Sequence, residues 1–188
     1  MSDTRGPRAA AAIFHATLEL LAEHGYDGLT IEAVARAAGV NKTTIYRWWP
    51  SKPALVRATV LHARALDISV PDTGSLRGDL VALVEQVIGL LTGPYAEPVV
   101  RALAGGSGQP ELAELTRELF AERFAREQPV FERARARGEL PATTDPKLLV
   151  DLVVGAVWVR VLLRREPLPD HFAAEVVDAV LPRPREGW

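Results

Sequence analysis

The 188-residue chain has no cysteine, a single methionine and only 6% aromatic residues. Without cysteine it can form neither a disulfide nor a thiolate metal site. Its four histidines, His15, His24, His62 and His171, are scattered, and none stands in HExxH or another metal-ligand spacing. No serine sits in GxSxG, and the Gly105-Gly106-Ser107-Gly108 run lacks the lysine of a phosphate loop. The chain therefore offers no catalytic constellation, metal site or cofactor motif, and is expected not to be an enzyme. Long apolar runs are also missing: the richest, LLVDLVVGAVWVRVLL (148–163), has sixteen residues with two charges, too short for a membrane span. No apolar signal segment follows Met1, so the expected compartment is the cytoplasm.

What is present is unevenly distributed. Net charge is −2, yet residues 1–65 carry eight Lys/Arg against five Asp/Glu, and the remainder fourteen against nineteen. A basic head on an acidic body hints at an anionic partner for the head. The stretch VNKTTIYRWWPSKPAL (Val40 to Leu55) concentrates the signal: two lysines, an arginine, two threonines, a tyrosine and two tryptophans, with no acidic residue among them.

Strand-like alternation is absent, whereas apolar residues recur three and four apart through most of the length, which predicts an all-α fold. A first helix runs from about Arg8 to His24, stopped by Gly25. Thr30 caps a short second helix that ends at Gly39, Asn41 caps a third from Lys42 to about Trp49, and Pro50-Ser51 starts a fourth at Lys52, reaching about Leu66 to Ile68. Pro71-Asp72-Thr73-Gly74 marks a domain boundary, giving domains 1–70 and 71–188. Further helices are expected at about 76–92, 95–104, 111–137, 146–165 and 170–181, about nine in all, with a frayed tail from Pro182.

Two short helices joined at Gly39 have the form of a helix-turn-helix. Ala35 is small enough for close helix approach, Gly39 suits a positive φ in the turn, and Ile45 fills the wedge between the helices. At about 100° per residue, Ile45 and Trp49 point one way while Lys42, Thr43, Tyr46 and Arg47 share the opposite arc. Short hydroxyls, an arginine fork and a phenol on one helix face suit the edges and phosphates of a DNA major groove.

The block LELLAEHGYDGLTIEAVARAAGVNKTTIYRWWPSKPALV, Leu18 to Val56, about a fifth of the chain, resembles the N-terminal domain of the tetracycline-repressor (TetR) family of bacterial transcriptional regulators. TGSLRGDL, GPYAEPVVRAL and RARARGELP resemble one branch of that family's effector-binding domains. The resemblance implies an N-terminal three-helix DNA-binding domain with a linking fourth helix, and a C-terminal helical domain for ligand binding and dimerisation. It implies base-edge or nearby backbone contacts for Lys42, Thr43 and Thr44, with phosphate contacts for Tyr46, Lys52 and Thr30. Glu32 stands where some relatives read a base, though it also suits a helix N-terminus. Trp48 departs from the family, which commonly has histidine or arginine there. Its indole either donates to a phosphate or covers the hydrophobic seam, and Trp49 matches a buried aromatic.

The 148–163 run is apolar almost all round, so its helix is either fully buried or shared with a second subunit. The resemblance favours the second alternative, a homodimer whose interface includes Val153, Ala156, Val157, Arg160, Val161, Phe172 and Val176. It also implies a pocket for a small molecule that lowers DNA affinity, lined by Leu83, Val87, Leu91, Phe120, Phe124 and Trp158. Val99, Leu103, Leu119 and Phe131 are further lining or core positions, and Arg101, Arg123 and Arg160 could read an anionic or hydroxylated ligand if they turn inward, although long arginines usually reach water. The expected protein is a homodimeric regulator of double-stranded DNA, a repressor of a palindromic operator released by a small-molecule effector. The competing expectation is a helical scaffold that has lost specific DNA binding, with DNA affinity that is weak, salt-dependent and indifferent to sequence.

Overall fold

The computed structural model describes residues 9–62, 68–93, 100 and 110–181, with the backbone alone at 111. All regular structure among these residues is helical. The chain forms two compact units, one from residues 1–67 with 93–119, the other from 68–92 with 120–188.

In the first unit, α1 (Ala10–Gly28), α2 (Ile31–Ala37), α3 (Lys42–Trp48) and α4 (Lys52–His62) follow one another closely. Helix α1 packs on α2 and α4, and α2 on α3. Each boundary has a local cause. Gly25 stops the regular part of α1 with φ 67°, and one further turn carries the helix to Gly28 rather than ending it at His24. The Thr30 hydroxyl accepts from the Ala33 amide at 3.1 Å, the Asn41 side chain from the Thr43 amide at 3.0 Å, and Ser51 Oγ from the Ala54 amide at 3.3 Å. Each satisfies an amide that a helix start leaves unpaired. Gly39 takes φ 66°, where a Cβ is disfavoured. Of the expected end of the fourth helix at about Leu66 to Ile68, Ile68 lies outside a helix, and residues 63–67 lie outside the described residues.

The core of this unit gathers Ile13, Leu21, Leu29, Val34, Ile45 and Leu55, joined by Leu112 and Leu115 from the start of α6 (Pro110–Ala136). Burying each such side chain contributes roughly 1.5–3 kcal/mol. Two buried threonines satisfy their hydroxyls on their own helices: Thr17 donates to the Ile13 carbonyl at 2.7 Å and Thr59 to the Leu55 carbonyl at 2.8 Å. A buried hydroxyl thus carries no unpaired donor. Phe14 packs between Trp49 and His62, ring centroids 5.1 and 4.7 Å away, with Trp49 half-buried.

The second unit holds α5 (Leu76–Thr92), the rest of α6, α7 (Pro146–Trp158) and α8 (Phe172–Val180). Helix α5 packs on α7 and α8, and α7 on α8. Asp145 caps α7 by accepting from the Lys147 amide at 2.9 Å, with Pro146 in the first turn where its missing N–H costs nothing. The expected uniform helix over 146–165 instead changes pitch: Val159–Arg164 is a π-helical turn, ended by Arg165 at φ 53°. The expected helix at 95–104 and the Gly105 to Gly108 run lie outside the described residues except Val100, which is helical and buried, and the tail from Pro182 lies outside them altogether.

Two segments singled out in the sequence meet in this unit. Within TGSLRGDL, Ser75 caps α5 by accepting from the Gly78 amide at 3.0 Å. Asp79, fully buried, accepts from the amide and hydroxyl of Thr73 at 2.6 and 2.8 Å. Its other oxygen lies 3.8 Å from both Arg133 and Arg137 of RARARGELP. Glu139 of the same segment accepts from the Leu76 amide at 2.5 Å, and Arg133 donates to the Pro71 carbonyl. The conformation of the α5 entrance is therefore held by residues some sixty positions away.

Candidate nucleic-acid interface

Helix α3 turns one side to the core and the other to solvent. Ile45 is completely buried, whereas Lys42, Thr43, Tyr46 and Arg47 are exposed, Tyr46 by 44%. Thr44 is partly buried. With Thr30 exposed at the head of α2, the first unit brings Thr30, Lys42, Thr43, Tyr46 and Arg47 to its surface.

Several of these groups are already engaged. Lys42 Nζ donates to Glu32 at 3.4 Å, so the carboxylate in the first turn of α2 faces the cation in the first turn of α3. Both side chains are more than half exposed, which makes the pair weak. The Thr43 hydroxyl donates to the Asn41 side chain at 3.0 Å and the Thr30 hydroxyl serves as a cap, yet a hydroxyl oxygen has capacity for a further partner. Lys52, partly buried, donates to the Tyr26 carbonyl at 2.9 Å and sits 4.3 Å over the Tyr26 ring. That bond ties the end of α1 to the start of α4, a structural duty not readable from sequence because the partners are 26 residues apart.

Trp48 lies at the C-terminal end of α3, beside Arg47. Its ring is partly buried, its indole nitrogen is sealed from solvent with no hydrogen-bond partner, and the Arg47 guanidinium lies 5.8 Å over the ring.

In the second unit, Leu83, Val87 and Leu91 form a fully buried row on α5. Phe120 is 49% exposed, its ring 5.8 Å from half-buried Trp158, and Phe124 stacks at 6.3 Å on buried Phe131. Leu119 belongs instead with the core of the first unit. Val99, Leu103 and Arg101 lie outside the described residues. Arg123 donates to Glu127 at 2.9 Å, one turn on, and Glu127 is almost wholly buried. Burial pushes the Glu127 carboxyl above and the Arg123 guanidinium below their ordinary values, and the attraction between them opposes both shifts. Glu127 is thus a buried carboxylate matched by a partly buried arginine one turn before it.

Of the positions expected at a dimer contact, Val153, Val157 and Phe172 are buried within their own chain, while Ala156, Arg160, Val161 and Val176 are partly buried. Arg160 covers Phe172, its guanidinium 5.0 Å from the ring centroid. The apolar residues left open are Leu148, Leu152, Val159 and Leu163, between 43% and 76% exposed. The sequence pattern missed them because a helix apolar on every side does not say which side is taken. Among the described residues no helix is long and apolar enough to cross a membrane.

Known proteins share this arrangement. Residues 13–59 match the family described as bacterial regulatory proteins, tetR family, and residues 70–180 match the tetracyclin repressor-like C-terminal domain. An uncharacterized HTH-type transcriptional regulator of Mycobacterium tuberculosis is 38% identical over 168 residues, 88% of this chain and 83% of that one. The DNA-binding transcriptional repressor TetR of Mycobacteroides abscessus is 30% identical over 181 residues, 94% of each chain. The crystal structure of the TetR family transcription regulator SCO0332 superimposes with a TM-score of 0.71 at 36% identity, over 93% of this chain and 97% of that one. A helix-turn-helix with its polar face outward, joined to a second helical unit that matches the family's C-terminal domain, makes this chain a member of the TetR family of DNA-binding transcriptional regulators.

Proposed function

We propose that the protein is a repressor that binds a palindromic operator as a homodimer and is released by a small-molecule effector, with residues 1–70 reading DNA and 71–188 binding effector and partner. The observation that carries the reading is the two-sidedness of α3, with Ile45 fully buried and Lys42, Thr43, Tyr46 and Arg47 outward. An exposed helix face of donors and hydroxyls fits a major groove, in which Arg and Lys reach guanine and Thr either base or phosphate. Thr30 and Tyr46 supply hydroxyls to the flanking phosphates, and Thr44 sits at the edge of the reading face. Lys52 adds charge to the backbone side with the two N–H groups left after its bond to Tyr26. Trp48 shapes the seam behind the face.

The homodimer rests on the open row of α7 and its π turn. Leu148, Leu152, Val159 and Leu163 recur at spacings that keep to one side, and large apolar side chains gathered on one helix face mark an interface. Gly155 lies on the same stretch, and a Cβ built there meets nothing of its own chain. A glycine inside a helix costs about 1 kcal/mol against alanine, so with no internal crowding to explain it, close approach by a partner helix does. Ala156, Val161 and Val176 border the contact, and Val153, Val157 and Phe172 support it from beneath.

Selection of duplexes from a random pool with the purified protein tests the proposal. Enrichment of an inverted repeat with fixed half-site spacing, about one helical turn of 34–36 Å or a multiple of it, is the expected result. Failure to enrich any sequence, with folded dimer present, would leave the scaffold reading in its place.

A further inference from the structure

The orphaned polar atoms of the second unit point to the kind of effector. Arg123 spends its Nε on Glu127, yet its Nη2 is sealed from solvent and has no hydrogen-bond partner. Buried donors are nearly always paired, and an unpaired nitrogen on a guanidinium is among the costliest exceptions. Aromatic side chains share this side of α6: Phe120 lies about one turn before Arg123, Phe124 is the next residue and stacks on Phe131, one turn beyond Glu127, and Trp158 of α7 lies against Phe120. An aromatic row on the helix that carries one unsatisfied donor has the make-up of a small-molecule site, which is mostly apolar with few polar anchors.

Charge decides what the occupant carries. Glu127 already balances Arg123, so a carboxylate brought to Nη2 would bury a net negative charge, at the steep cost of an uncompensated ion in a low-dielectric site. A neutral oxygen accepts the same hydrogen bond without that cost. Arg126 and Lys147, the other cations nearby, are exposed; Arg126 acts on both members of the pair, through surroundings that water enters more than it enters the Glu127 site.

We infer that Arg123, held by Glu127 and walled by Phe120, Phe124 and Trp158, anchors an uncharged aromatic effector through its carbonyl or phenolic oxygen. The inference rests on the effector-release reading of the preceding section. Half-exposed Phe120 is the side chain that swings aside to admit the ligand, and Arg123 gains its missing acceptor only in the liganded arrangement. Ligand therefore favours that arrangement selectively, which is the requirement for shifting a conformational equilibrium.

Calorimetric titration of the full-length protein with three probes of similar shape tests this: 2-acetylnaphthalene, 2-naphthoate and 2-ethylnaphthalene. The ketone is expected to bind more tightly than the hydrocarbon and the anion by about tenfold or more, the value of one hydrogen bond to a charged group. That preference is expected to vanish in Arg123→Gln. Because the single variant leaves Glu127 unpaired in the interior, Arg123→Gln/Glu127→Gln is measured beside it, and thermal melting identifies the folded variant that carries the comparison. Tighter binding of the naphthoate, or a ketone preference that survives in the folded variant, overturns the inference, as does absence of binding by all three. Operator binding is measured separately. Release from the selected operator by other small molecules, unaffected by the variants, would leave the regulatory proposal standing while the anchor fails, and absence of any operator would sink the regulatory proposal whatever the titrations show.

Discussion

The two units hold their shape by different means. In the first, each turn is specified by a residue within about three positions of it: Gly25 and Gly39 at positive φ, Thr30, Asn41 and Ser51 as caps. In the second, the entrance to α5 depends on Arg133, Arg137 and Glu139, and its first turn is also joined to α8 by Arg77, which grips Asp178 at 2.6 and 2.8 Å. Local specification gives a reading head whose geometry follows from a short stretch of chain. Long-range specification gives a body in which one polar change is felt by several segments.

The sharpest break of that contrast is a pair of deletions. Ile45→Ala, at a completely buried wedge of the first unit, is expected to cost about 2–5 kcal/mol through lost burial and the cavity left behind. Asp79→Ala is expected to cost about 3 kcal/mol, the low end for breaking a buried pair, because Arg133 and Arg137 keep access to water. Denaturant unfolding gives both values. If the contrast is right, Asp79→Ala also weakens amide protection at Leu76 and around Glu139, whereas protection changes in Ile45→Ala stay within its own unit.

Gly155→Trp probes the open side of α7. A Cβ at this position meets nothing within 4 Å of its own chain, so the melting temperature measured at high dilution should change little, while the proposed dimer loses roughly 1–3 kcal/mol from overpacking. Sedimentation across a dilution series reads the shift. An unchanged dimer would place the interface elsewhere.

Lys42→Ala is expected to weaken operator binding by about 1–3 kcal/mol with almost no change in stability, since its ionic partner among the described residues is an exposed carboxylate. Gel-shift titration against the selected operator supplies the number.

The smallest expected effect concerns acid. The Glu139 carboxyl is held below its ordinary range by hydrogen bonds from Arg137 and then from the Leu76 amide. Its folded value is lowered, so its contribution to stability is present above the ordinary carboxylate range and is lost as pH falls through the depressed value. Glu139→Gln should lower stability slightly at neutral pH, the gap to the wild type closing as acid unfolding is followed down through the depressed value.

The same contrast explains what the sequence disclosed. Caps, the Gly39 turn and the outward arc of α3 were legible because helix periodicity and capping chemistry act over three or four residues. TGSLRGDL and RARARGELP stood out as segments, yet their pairing through Asp79 spans more than fifty positions, beyond any local rule. The bond from Lys52 to Tyr26 was hidden for the same reason. The π turn at Val159–Arg164 carries no glycine or proline to announce it, and the apolar run around it offers no polar face to fix the register. The burial of Glu127 escaped notice because an acid four residues from an arginine reads as a solvated helix pair until neighbouring aromatics enclose it.

Glu32 gives the reading helix a counter-charge of its own. A free lysine releases condensed ions when it meets any phosphate, and that release drives attachment to duplex of arbitrary sequence. With a carboxylate fixed 3.4 Å away, Lys42 gains less from such encounters. If Lys42 meets bases as proposed, attachment to duplex of arbitrary sequence would be the weaker for this counter-charge, and the sites that hold the protein longest would be those whose bases offer the lysine more than Glu32 does.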